Sequence, residues 1–202
     1  MFKKLLIVLG VVVPSMVLCF KDDDGGLCKA SCEKCAPACL DCAKVCADCK
    51  HACYACAQSC KECAPACKAC KKKCVDCVIA CYDCNASCNA YMLVCAPRVR
   101  GLVHARCGKC ATVCEQCANL CKDCRAQCEK CSKKDQTHTD CIAACEKCVQ
   151  HCQSCADMCK ECKKSCEPLK RKKTEHAKKH APVHHKKAGH QKGAEKKMHE
   201  GA

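Results

Sequence analysis

Between residues 28 and 166 the apolar positions recur at alternating steps of four and three, and nearly all of them are cysteine. The first run is Cys28, Cys32, Cys35, Cys39, Cys42, Cys46, Cys49, Cys53, Cys56, Cys60, Cys63, Cys67, Cys70, Cys74, Cys77, Cys81, Cys84 and Cys88. It skips one slot, held by Tyr91, and closes at Cys95. A second run holds Cys107, Cys110, Cys114, Cys117, Cys121, Cys124, Cys128 and Cys131, and a third holds Cys141, Cys145, Cys148, Cys152, Cys155, Cys159, Cys162 and Cys166. Steps of three and four return to one face of an α-helix, so each run marks amphipathic helix whose inward stripe is thiol. Alanine, lysine, glutamate and glutamine fill much of the rest, and all are good helix formers. No period-two alternation argues for strands.

The first run contains an internal repeat. Residues 31–60 match residues 59–88 at an offset of 28, including Pro37 with Pro65, Tyr54 with Tyr82, and every cysteine. Proline is tolerated in the first turn of a helix and damaging in the middle, so each proline reads as a helix start. The pattern predicts helices near 37–62, 65–95, 105–131 and 141–166, separated by irregular links at 96–106 and 132–140. At 1.5 Å per residue each spans roughly 40 Å. Four helices of matched length with short links predict an all-α, up-down four-helix bundle with a cysteine-lined core. The competing reading keeps residues 28–95 as one long helix kinked at its prolines, because the heptad phase runs straight through Pro65.

The two ends of the chain differ from its middle. Residues 1–20 resemble a secretory signal: Lys3 and Lys4 precede the apolar run Leu5–Val13, and Val17 and Cys19 suit a cleavage site. The expected destination is the periplasm or the exterior. Residues 21–36 read as an N-terminal linker or extension, and 37–166 as the bundle. Residues 167–202 carry eleven basic residues against four acidic, six histidines and few large apolar groups. That composition predicts a disordered Lys/His-rich tail able to touch anionic surfaces, and it supplies about half of the chain's net charge of +15. Nucleic acid is a poor match for the tail, since no aromatic residue is interleaved for base stacking and the signal points to export.

Thirty-six of 202 residues are cysteine, and there is no tryptophan. A carbon-only core would be thin, so sulfur chemistry must contribute to the fold. Disulfides are the first option for an exported chain. Against them stand the strict heptad spacing and the odd number, 35, left after cleavage beyond Cys19. Zn²⁺ is the second, held by a CxxC pair from each of two helices. Its cost is charge, because four thiolates around each ion leave buried negative charge. Cu(I) is the third: it is soft, prefers thiolates, and at one ion per thiolate leaves the interior neutral. CxxC as a redox-enzyme site needs one copy in a βαβ setting, not a dozen on helices, and no nucleophile elbow, P-loop or dinucleotide fingerprint is present. The residues therefore read as a binding protein rather than an enzyme, with a disulfide-rich structural protein or a Zn/Cd metallothionein-like buffer as alternatives. His104, His138 and His151, with Met92 and Met158, are candidate ligands at the bundle ends.

The segments HCQSCADMCKECKKSC (151–166), the preceding KKDQTHTDC (133–141), and CGKCATVCEQCANLCKDCRAQC (107–128) resemble the cysteine-rich four-helix-bundle copper storage proteins. The resemblance implies a bundle, often assembled into tetramers, whose core cysteines hold many Cu(I) ions; the ligands it carries over are the heptad cysteines of each helix. This chain departs from that family in its higher cysteine content, the extra CKASCEKC (28–35) and the basic tail.

Overall fold

The computed structural model describes residues 23–132 and 134–168; the expected signal segment 1–20 and the expected tail from 169 onward lie outside the described residues. Four helices follow in order: α1 (Asp23–Ser59), α2 (Ala64–Val94), α3 (Pro97–Lys130) and α4 (Gln136–Ser165). Among the described residues there is no strand, and no helix is long and apolar enough to cross a membrane. Helices α1 and α3 each pack against both α2 and α4, which closes an up-down four-helix bundle. The chain reverses at residues 60–63, so 28–95 is two antiparallel helices and not one kinked helix.

Three boundaries differ from the sequence expectation. Helix α1 begins at Asp23, so Pro37 lies inside it and residues 23–36 are helix rather than linker. An internal proline costs roughly 3 kcal/mol. What offsets it is burial: Cys28, Cys32, Cys35 and Ala36 continue the inward stripe upstream of the proline. Two polar ties add to this, Ser31 Oγ to Ser165 Oγ at 2.8 Å and Asn85 Nδ2 to the Ala36 carbonyl at 2.8 Å. In the second repeat copy the same proline, Pro65, does open a helix, because the turn at 60–63 precedes it.

Helix α3 starts at Pro97, not near 105, with proline in its first turn. The link from α2 is only Cys95 and Ala96, and Cys95 closes α2 in the left-handed region at φ 49°. Counting back from Cys107 by four lands on Val103, which is fully buried, so the stripe continues without cysteine. Helix α4 starts at Gln136, not at 141, because Asp135 caps it: the Asp135 carboxylate accepts from the His138 backbone N–H at 3.2 Å. On the outer surface, ion pairs such as Arg106–Asp83 at 2.6 Å and Lys160–Glu115 at 2.7 Å join neighbouring helices, beside exposed apolar residues such as Ile79 and Tyr82.

Candidate metal centre

The heptad phase aims every stripe cysteine of the four helices at the bundle axis. All the described cysteines except Cys95 are buried, and together they make up most of the core. Near the start of α1, Cys35 Sγ lies 3.7 Å from Cys159 and 3.9 Å from Cys84, and Cys84 lies 3.4 Å from Cys107. Midway, Cys152 lies 3.7 Å from Cys42, 3.5 Å from Cys46 and 3.8 Å from Cys77. Further on, Cys70 meets Cys121 at 3.4 Å, and Cys49 meets Cys121 at 3.9 Å and Cys145 at 3.8 Å. Towards the 60–63 turn, Cys124 meets Cys67 at 3.6 Å, and Cys128 meets both Cys56 and Cys67 at 3.7 Å. Sulfurs of diagonal helices also meet, as Cys49 with Cys121 and Cys77 with Cys152, because no bulky side chain stands between them.

The result is a continuous sulfur column made of overlapping groups that could hold metal ions. In each group the ligand atoms lie within 4.8 Å of one another: Cys35, Cys39, Cys84 and Cys159 form one, Cys39, Cys110, Cys155 and Cys159 the next, and Cys42, Cys46, Cys77 and Cys152 another. Cys35, Cys39, Cys42 and Cys159 each belong to more than one group, so the sites share ligands. A tetrahedron with 2.3 Å arms has an edge of about 3.8 Å. The observed sulfur separations therefore suit metal ligation with little movement of the backbone.

The thiols titrate as a connected set. The Cys121 thiol is pushed up, first by Cys117, while Cys117 and Cys145 are both held low, first by Cys121. A protonated sulfur thus sits between two neighbours of thiolate character, and its single S–H donates to one of them at a time. Cys32 is lowered to about 5, first by its contact with Cys162, and Cys84 to about 6, first by Cys107. Such depressed thiols are the ready ligands of a column whose other members keep their protons.

Most of the expected ligands are brought together, with exceptions at one end. Cys28 and Cys166 are joined as a disulfide between the start of α1 and the end of α4, which withdraws both from thiolate ligation in this state. Cys95 sits in the α2 C-cap, only partly buried. His104 and His151 face outward, each bonded through Nδ1 to a backbone carbonyl at 3.0 Å, of Lys163 and Lys147 respectively. Met92 packs against the edge of the core and Met158 is half-buried. His138 is buried and takes a stripe position, three residues before Cys141. Tyr91 and Val103 fill the two other non-cysteine slots. Comparison of the chain with family models, curated proteins and solved structures returns no match.

Proposed function

We propose that this is an exported copper-binding protein of the cysteine-rich four-helix-bundle copper storage type, which stores or sequesters many Cu(I) ions through its core thiolates and catalyses no reaction. The observation that carries the reading is the unbroken column of free, buried sulfurs spaced 3.4–4.0 Å apart, with sites that share ligands. A protein built for one structural ion needs four ligands and no more. A column of shared thiolates suits many ions of a soft metal content with two or three donors. Charge favours the monovalent ion: Cu⁺ per thiolate leaves the column neutral, whereas Zn²⁺ in four thiolates leaves two negative charges at each site in a dry interior. Export is proposed from the N-terminal segment alone.

One observation favours the disulfide-rich reading, the Cys28–Cys166 bond. It lies at the end of the column, and the cysteines between remain free. The test is elemental analysis of protein from copper-supplemented cells, paired with a free-thiol count on the same sample. Tens of copper ions per chain with few disulfides is the expected result. Metal-free protein with nearly all cysteines oxidised makes it a structural scaffold, and zinc or cadmium in place of copper makes it a divalent-metal buffer.

A further inference from the structure

At the turn end of the bundle one buried ring is only half satisfied by hydrogen bonds. His138, the third residue of α4, is 2% exposed, and its Nε2 makes no hydrogen bond among the described residues. The other ring nitrogen, Nδ1, lies 2.8 Å from Asp135 Oδ1. A lone pair so close to a carboxylate oxygen would be repelled, so Nδ1 carries the proton and donates it. The Asp135 backbone N–H also approaches Nδ1, at 3.3 Å, but that longer contact gives way to the charge-assisted one. With Nδ1 protonated, Nε2 is left facing the Cys60 thiol, which together with Asp135 raises the basicity of the ring, and an ion bound there displaces the proton that ring and thiol share. An imidazole oriented by a carboxylate on one nitrogen and open on the other is the arrangement found on metal-ligating histidines.

The open nitrogen faces sulfur. With Nδ1 held by Asp135, it is the Nε2 side that meets Cys60, in the turn between α1 and α2. Cys60 Sγ lies 3.5 Å from Cys131 Sγ, at the C-cap of α3. Cys63, at the N-cap of α2, interacts with both and also meets Cys56 of the sulfur column at 3.5 Å. The ends of all four helices thus converge. The two turns are also tied to each other: Glu62 accepts from the Ser132 backbone N–H at 3.0 Å and from its hydroxyl at 2.6 Å, and Ser59 and Thr137 hydroxyls meet at 2.6 Å. Cys60 and Cys131 keep 8% and 5% exposure, so an ion reaches them from solvent.

We infer that Cys60, Cys63, Cys131 and His138 form a Zn²⁺ site at the rim of the sulfur column that clamps the two turns at this end of the bundle. Three thiolates and one imidazole are a standard structural zinc set, with CxxC supplying the first pair. Charge separates it from the sulfur column. Zn²⁺ with three thiolates and a neutral ring leaves one negative charge at a partly wetted rim, and Cu⁺ there leaves two. Each bound ion releases the protons of the thiols it ligates, and Cys131 gives up its 3.4 Å contact with the Gln127 carbonyl.

The test uses the full, reduced chain saturated with Cu(I), then given Co²⁺ as a visible stand-in for zinc. About one cobalt per chain, with the intense bands of a tetrahedral thiolate site and displacement by Zn²⁺, is expected. His138→Ala and Cys131→Ser abolish those bands while helicity and copper capacity stay within an ion or two of wild type. Asp135→Asn retains a good N-cap residue but loses the carboxylate, and lowers zinc affinity about 10–100-fold as an orienting partner should. Cobalt bands that persist in His138→Ala, or a copper-loaded wild type that takes no cobalt, overturn the assignment. The same cobalt difference between wild type and His138→Ala, read without copper, keeps this result apart from any failure of the column to hold copper.

Discussion

Replacing Cys152 by serine tests whether the sulfur column is one shared array. Cys152 lies 3.5–3.8 Å from Cys42, Cys46, Cys77 and Cys148, on three different helices, so it is as central as any ligand. Serine keeps the shape and removes the soft donor. Its hydroxyl, set among sulfurs, costs at most about 1–3 kcal/mol if poorly paired. The described chain has 33 free cysteines. At about one Cu⁺ per thiolate, with every sulfur bridging neighbours, the variant loses one ion in roughly thirty. If instead the column is cut into discrete four-thiolate sites, there are about eight, and the variant loses about one eighth of its capacity. The assay is an anaerobic Cu(I) titration against a chromophoric chelator, with circular dichroism to confirm an unchanged fold. A wild-type endpoint near eight ions, with a fall of one whole ion in eight, would refute the shared array.

Cu(I) raises the thermal midpoint of the reduced protein. An ion at a hundredfold over its Kd adds about 2.7 kcal/mol, or roughly 5–10 °C for each independent site in a domain of this size, and scanning calorimetry that finds no shift at saturation sinks the copper-filled core. Removing residues 170–202 leaves the tightly held Cu(I) count unchanged, because that segment contains no cysteine; a truncated chain that loses half its copper puts the sites elsewhere. Cys28→Ser with Cys166→Ser opens a loop closed across 138 residues, and on loop entropy alone lowers metal-free stability by about 5 kcal/mol, read as a lower midpoint in urea. A midpoint unchanged by the double substitution shows that the bond does not form in solution.

The heptad of cysteines made the bundle legible, since a stripe at steps of three and four has only one regular solution. The helix ends were less legible, and the reasons are local. Pro37 looked like a helix start because proline favours the first turn, yet the buried positions upstream carried α1 through it. The stretch 96–106 looked like a link because cysteine disappears from it, although extending the phase back from Cys107 points to Val103. Extending the phase back from Cys141 points in the same way to His138. The signal for the histidine was therefore its register, not its residue type. What no single run of sequence carries is the meeting of Cys60, Cys63, Cys131 and His138, because it depends on two turns being brought to one end and tied by Glu62 and Ser132.

The way the thiols share protons bears on how the column fills. Cys121 keeps its proton between two low-lying neighbours, Cys117 and Cys145, so the empty column is held by S–H···S bridges. A Cu⁺ ion that takes the place of such a proton bridges the same two sulfurs and carries the same charge. Filling by that exchange changes neither the net charge of the dry interior nor its connectivity, and the desolvation penalty that burdens a divalent ion does not arise. The exchange has a countable product. Cu(I) added as a weakly held complex to reduced protein near neutral pH, in unbuffered solution under a pH-stat, should release less than one proton per ion at first, while low-lying thiols such as Cys32 and Cys84 take the ions, and close to one per ion as the proton-bearing thiols fill. Zn²⁺ added to the same protein should release more than one per ion, since each ion gathers several thiolates. A copper titration that still releases well under half a proton per ion near its end would mean that the whole column already stands as thiolates, and the argument from neutrality would fail with it.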